Sequence, residues 1–260
     1  MLGLVNTLTS GGVISTVLSN TYSLAFDGTD DYVDVADDNS LDFGTGDFSV
    51  GLWHKSGTEG DQPFIGKKAV FSDSTAGWVI YMQNSPDVMR CRIGDGGSSN
   101  VATSIEDDAG STLVADDNQW HHTVMVRSGD NLYLYFDGVL GPDGSKTGVN
   151  DFNVNNTESL YIGKSASRYP AMSADEVSIW DAALSAGSIS TIYNSGVPTD
   201  LNADSNAGNL VGWWRMGDGT EGASGTTIYD MSTNSNNGTM TNMDPATDYV
   251  TDVPLSLIHI

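Results

Sequence analysis

Positive charge is scarce in this chain. Only 10 Lys and Arg stand against 34 Asp and Glu in 260 residues, a formal net charge of −24. Nucleic-acid binding is driven by Lys and Arg displacing counterions from phosphates, so such a surface argues against a nucleic-acid partner. The acidity fits solubility in a salty medium, or oxygen-rich sites for hard cations. Cysteine is nearly absent: Cys91 stands alone, which excludes an intramolecular disulfide. It lies in Val88-Met89-Arg90-Cys91-Arg92-Ile93, a strand-like run in which it reads as a small buried hydrophobe. Long apolar runs are missing too. No window approaches the roughly 18 apolar residues that a spanning helix needs, so no membrane insertion is expected.

The first 20 residues carry no charge and mix Leu, Val and Ile with Gly, Ser, Thr and Asn. A secretory signal would show a basic start and an unbroken apolar core, and both are missing. Residues 1–20 are read as an arm or a terminal strand, in a protein exported without such a signal or assembled inside a cell. The ending Leu255-Ser256-Leu257-Ile258-His259-Ile260 departs from the acidic, polar style before it and is read as a non-native tail.

What is present in abundance is β-pattern. Short alternating runs rich in β-branched and aromatic residues recur between clusters of Gly, Asp, Asn and Ser. Strands are expected at 22–26, 32–35, 48–54, 62–67, 77–83, 89–94, 120–128, 131–136, 159–162 and 174–180. Gly129-Asp130 joins two of them as a hairpin, and Asp137-Gly138 marks the next turn. One short helix is expected near 184–196. Ser185 caps it, Ile189, Ile192 and Tyr193 give it an apolar face, and Gly196 and Pro198 end it. Beyond it, residues 197–254 are loop-rich, with strands near 210–216 and 226–241. That extension is read as completing the body at 21–196; a truncated second repeat is the other reading.

Several of these segments carry a resemblance. Ser23-Leu24-Ala25-Phe26-Asp27-Gly28-Thr29-Asp30-Asp31-Tyr32-Val33-Asp34-Val35 is followed by Phe48-Ser49-Val50-Gly51-Leu52-Trp53. Then come Trp120-His121-His122-Thr123-Val124, Leu132-Tyr133-Leu134-Tyr135-Phe136-Asp137-Gly138, Leu160-Tyr161-Ile162-Gly163, and Asp175-Glu176-Val177-Ser178-Ile179-Trp180. In type and order they resemble the laminin G-like/concanavalin A-like lectin superfamily, of the kind found in marine phage structural proteins. The resemblance implies an all-β fold: a two-sheet antiparallel jelly-roll sandwich. It also implies a calcium ion at the sandwich edge, for which Asp27, Asp30, Asp175 and Glu176 are the candidate ligands. Trp78, Tyr81, Tyr169 and Trp180 are the candidate glycan-binding aromatics, although core packing is the commoner fate of an aromatic in a sandwich.

Catalysis finds little support. Sandwich hydrolases of this fold carry a Glu-x-Asp-x-x-Glu strand, a spacing that does not occur here. His121 and His122 are neighbours in a strand and point to opposite faces, so they cannot chelate one ion together. Gly94–Gly97 lacks the Lys-Ser/Thr of a phosphate loop. Asp37, Asp38, Asp107, Asp108, Asp116 and Asp117 are read as solvated loop charge. The expected function is a non-enzymatic virion or cell-surface attachment protein, at the virion surface or outside the cell, binding glycan with calcium. Its partners would be glycan or other surface subunits, with a homo-oligomer among the allowed assemblies. A dedicated secreted lectin module is the alternative, and a glycan-cleaving enzyme ranks last.

Overall fold

The structure, a computed structural model, describes residues 18–57, 60–69, 75–83, 88–97, 103–106 and 115–254. Residues 1–17 of the expected arm, and the expected tail at 255–260, lie outside them, as do Asp107 and Asp108. The first half of the chain forms β1 (Ser23–Asp27), β2 (Tyr32–Val35), β3 (Phe48–Lys55), β4 (Gln62–Lys68), β5 (Ala76–Gln83), β6 (Val88–Asp95), β7 (Thr103–Glu106) and β8 (Trp120–Ser128). Next come β9 (Asn131–Phe136), β10 (Val139–Thr147), β11 (Leu160–Ile162), β12 (Ala171–Trp180) and the helix α1 (Ala186–Tyr193). The C-terminal part adds β13 (Leu210–Trp214), β14 (Thr227–Ile228), β15 (Gly238–Thr241), a one-turn helix α2 (Pro245–Asp248) and β16 (Tyr249–Val250).

These strands make two antiparallel sheets of a jelly-roll sandwich. One runs β16-β1-β12-β3-β8-β9-β10, and the other β14-β15-β2-β11-β4-β5-β6-β7. A single register pair between Asp143 and Glu106 joins β10 to β7 and closes one side of the sandwich. Strand β12 changes partner along its length. Ala171–Ala174 pair with β1, whereas Val177–Trp180 pair with β13, with a bulge at Asp175/Ser178 where β12 faces β3. Strand β15 pairs with β2 in the other sheet, so the C-terminal segment is hydrogen-bonded into both layers.

Period-2 alternation sorts the side chains into two cores. Met125, Val177, Ile179 and Trp214 point between the sheets, where Phe48, Ile80 and Cys91 also lie. Val124, Val126, Trp180 and Trp213 point the other way, under Ile189 and Ile192 of α1. Each fully buried large apolar side chain contributes roughly 1.5–3 kcal/mol. The helix is short and depends on that docking. Ser185 caps it by accepting from the Ser188 N–H at 3.1 Å. Its other end differs from expectation: Asn194, at φ 46°, already leaves the helix two residues before Gly196. Asp137 and Gly138 are both left-handed, as a two-residue hairpin turn demands. A Cβ on Gly138 would stand 2.8 Å from the Tyr193 ring, so this turn needs glycine in order to seat α1.

Candidate functional site

Among the described residues, the end of β1 gathers a cluster of three acidic side chains. Asp31 closes the turn by accepting from the Asp27 N–H at 2.9 Å, and Asp27 accepts from the Thr29 N–H at 2.7 Å. Gly28 sits at φ 80° against the start of β12, where a Cβ would come within 2.9 Å of Ala171 Cβ. Asn242, just past β15, donates to the Asp30 carbonyl at 3.0 Å. In this turn Asp27, Asp30 and Asp31 each offer a carboxylate oxygen, all within 4.8 Å of one another. Burial pushes the Asp31 carboxyl above its ordinary range, and the charges of Asp27, Asp248 and Asp30 push the same way; only the Asp27 N–H opposes them. Crowded carboxylates with one partly desolvated member suit a divalent hard cation, which wants six to eight oxygens. The residues present fit calcium.

Beside that turn lies an aromatic cluster. Tyr32 opens β2, Tyr161 is central in β11, and Tyr169 sits on the loop crossing from β11 to β12. Tyr32 meets Tyr161 edge-on, with centroids 5.8 Å apart, and lies 6.1 Å from Tyr169. The Lys164 ammonium rests 3.9 Å from the Tyr32 ring centroid and 4.6 Å from that of Tyr161. The crossing loop is pinned by paired backbone hydrogen bonds between Ser165 and Arg168, at 3.2 and 3.0 Å, around a left-handed Ala166. Arg168 reaches Asp61 at 2.5 Å. Gly28, Thr29, Asp61, Ser167, Arg168 and Tyr169 line an open cleft of about 400 Å³ between the acidic turn and this loop.

Two of the four candidate metal ligands are elsewhere. Asp27 stands opposite Ala171, so Asp175 lies four positions along β12. At about 3.3 Å per residue that is roughly 13 Å away. Asp175 and Glu176 are mid-strand, not at a strand start, and only 0% and 3% exposed. Asp175 accepts from Asn20 Nδ2 at 2.9 Å. Glu176, at φ 45° in the bulge, accepts from Trp213 Nε1 at 2.6 Å and from Arg215 Nη2 and Nε at 2.9 and 3.0 Å. Burial pushes Glu176 up to about 7 even though Arg215 and Trp213 pull it down. Burial drives Asp175 well above the carboxylate range, and the Glu176 charge adds to that. These two carboxylates lock strands together and leave Asp31, from the same turn as Asp27 and Asp30, as the third member of the acidic cluster.

The aromatic candidates divide similarly. Trp78 is 1% exposed and packs between the sheets near Phe48; Trp180 is fully covered under α1. Tyr81 is 1% exposed, with the Arg92 guanidinium 5.6 Å from its ring centroid. A ligand can reach none of these three. Only Tyr169 of the four faces the cleft. Tyr32, Tyr161 and Lys164 were missed, although alternation in Tyr32-Val33-Asp34-Val35 and Leu160-Tyr161-Ile162 places both tyrosines opposite the buried Val and Ile/Leu faces. The two histidines diverge as expected. His121 packs on Phe136, with centroids 4.6 Å apart, while His122 lies 4.9 Å from the Trp53 centroid and stacks toward Tyr193. Two aspartates read as solvated charge have work: Asp37 pairs with the buried Lys67 at 2.7 Å, and Asp117 meets His121 at 3.1 Å.

A laminin G-type family model, described as the concanavalin A-like lectin/glucanases superfamily, matches residues 27–190. Among curated proteins no sequence match was found. A crystal structure of a candidate carbohydrate-binding protein from Bacteroides ovatus is similar, with a TM-score of 0.64 and 17% identity over 92% of this chain. This chain spans 62% of that protein's length. The heptameric SAP-like pentraxin of Limulus polyphemus is similar at a TM-score of 0.52 and 16% identity, over 67% of this chain and 82% of that one. The binding domain of Paraclostridial Mosquitocidal Protein 1 follows at a TM-score of 0.51 and 15% identity, over 70% and 47% of the two chains. At these identities the likeness speaks for the fold alone.

Proposed function

The chain belongs to the concanavalin A-like lectin/glucanases superfamily, and we propose that it is a non-enzymatic, lectin-like module that binds glycan at the cleft beside the Asp27–Asp31 turn. The observation that carries this reading is the juxtaposition of a half-buried aromatic cluster, Tyr32, Tyr161 and Tyr169, with an open polar cleft. Sugar rings present apolar C–H faces that stack on aromatics and hydroxyls that need polar partners; this edge offers both. The similar structure from Bacteroides ovatus, described as a candidate carbohydrate-binding protein, supplies the fold on which such a site would be built.

Calcium is part of the proposal. Asp27, Asp30 and Asp31 would hold it, with turn carbonyls completing the set. Held there, the ion would offset most of the charge of three crowded carboxylates and could supply a coordination position for a sugar hydroxyl. The non-enzymatic part rests on Asp175 and Glu176. Glycoside hydrolysis needs a carboxylate pair that flanks the scissile bond. These two are closed off from solvent and held by Asn20, Trp213 and Arg215.

A glycan array in calcium-containing buffer, run on the wild type and on Tyr169→Ala, tests the reading. Binding to a defined set of glycans that Tyr169→Ala weakens at least tenfold is the expected result. Binding unaffected by the substitution would move the site elsewhere, and silence across the array would remove the lectin reading.

A further inference from the structure

Among the described residues, four of the chain's ten Lys and Arg pair with carboxylates at the distances the structure gives. Lys55 pairs with Asp252, Lys67 with Asp37 and Asp42, Arg168 with Asp61, and Arg215 with Glu176. Arg127 is buried and donates to four backbone carbonyls, those of Gly44, Phe152, Val149 and Asn150. Lys164 is held differently, on aromatic rings. Among the described residues no carboxylate pairs with it, and its ammonium is held against Tyr32 and Tyr161, with the Tyr169 centroid at 6.0 Å. Ring faces attract a cation, yet they leave its charge unneutralised. With 34 acidic residues in the chain, a lysine set on rings without a counter-ion presents unspent positive potential. That potential stands next to Tyr169, which lines the cleft.

We infer that the glycan bound at this edge is acidic, a uronic-acid-type sugar whose carboxylate is received by Lys164 while its ring lies against Tyr169. The inference rests on the glycan-binding reading and specifies its ligand. Arg168 already neutralises Asp61 on one wall of that cleft, and calcium held at the Asp27–Asp31 turn would offset most of the charge on the other. A charge-assisted contact between ammonium and carboxylate is about twice as strong as a neutral one. The long-range field of a −24 protein opposes an anionic ligand, but exposed charges beyond about 8–10 Å are screened at ordinary salt. Contact with Lys164 therefore decides.

The experiment is calorimetric titration of the full chain with trigalacturonate and with neutral galactotriose, at one fixed calcium concentration. Calcium then affects both arms equally. The expected result is at least tenfold tighter binding of the uronate. Lys164→Met should erase that preference in a protein that still unfolds cooperatively, and Lys164→Arg should retain it. Equal affinities, or a preference that survives Lys164→Met, would overturn the acidic-sugar inference and leave the glycan site standing. Failure to bind either sugar, together with silence on a broad glycan array, would take down both.

Discussion

The Trp213 indole donates a 2.6 Å hydrogen bond to the Glu176 carboxylate, which Arg215 also grips at 2.9 Å, at the point where β12 passes from pairing with β1 to pairing with β13. The same Arg215 donates to the Ser19 carbonyl at 2.6 Å, so the segment just before β1 is tied to the C-terminal strands.

Removing Arg215 should therefore be costly in a pH-dependent way. Breaking a buried ion pair leaves an uncompensated charge and costs about 3–5 kcal/mol. Glu176, pushed up to about 7 by burial, is charged at pH 8 and mostly neutral at pH 5.5. Arg215→Ala should destabilise strongly at pH 8 and much less at pH 5.5. Urea melts at the two pH values check this; an equal loss at both would mean that the carboxylate is not what Arg215 serves.

His122 sets an acid limit. Burial holds its imidazole down at about 4, against the opposing pull of Asp137. Its folded value lies below the ordinary 6.5, so the unfolded chain binds the extra proton between them. Stability from this group is complete above about 6.5 and is lost as pH falls toward 4, by on the order of 3 kcal/mol. His54, also lowered by burial, adds in the same direction. His122→Phe, which keeps the stacking on Trp53 and Tyr193, should flatten the stability profile between pH 4 and 6.5. A profile as steep as that of the wild type would count against the assignment.

Calcium should stabilise the fold if the acidic turn holds it. At a concentration 100 times Kd, binding adds about 2.7 kcal/mol, roughly 5–10 °C in melting temperature for a domain of this size. Chelator should reverse that shift, and Asp27→Ala should abolish the difference. A wild type indifferent to chelator would exclude calcium from the turn.

The aromatics should separate cleanly. Trp180→Ala opens a cavity under α1 and should cost about 3–5 kcal/mol while the remaining folded protein still binds glycan. Tyr169→Ala should do the opposite, lowering affinity at least tenfold with little loss of stability. Thermal melts and glycan titrations on both variants, compared side by side, reveal any crossing of these effects.

Much of the fold was legible because alternation and turn chemistry are local. Strands β8 and β9 run as expected around the Gly129 turn, and Ser185 caps α1. The site was less so. Sequence gives which face a strand residue takes, but not how two strands line up, and register puts Asp175 about four positions from Asp27's partner. Nor does it reveal what covers an outward face. Trp180 points away from the inter-sheet core, as a sugar platform would, yet α1 lies on top of it. Lys164 was illegible for the same reason: its rings come from β2, β11 and the crossing loop, and only the folded sheet gathers them.

The proposed glycan site is the edge formed by the acidic turn and the tyrosine cluster. Amide chemical shifts followed during titration with an array-selected glycan locate the bound sugar residue by residue. The expected shifts concentrate at Gly28, Thr29, Tyr32, Tyr161 and the 163–169 loop. Shifts confined to another face of the sandwich, with these amides unmoved, would contradict this placement.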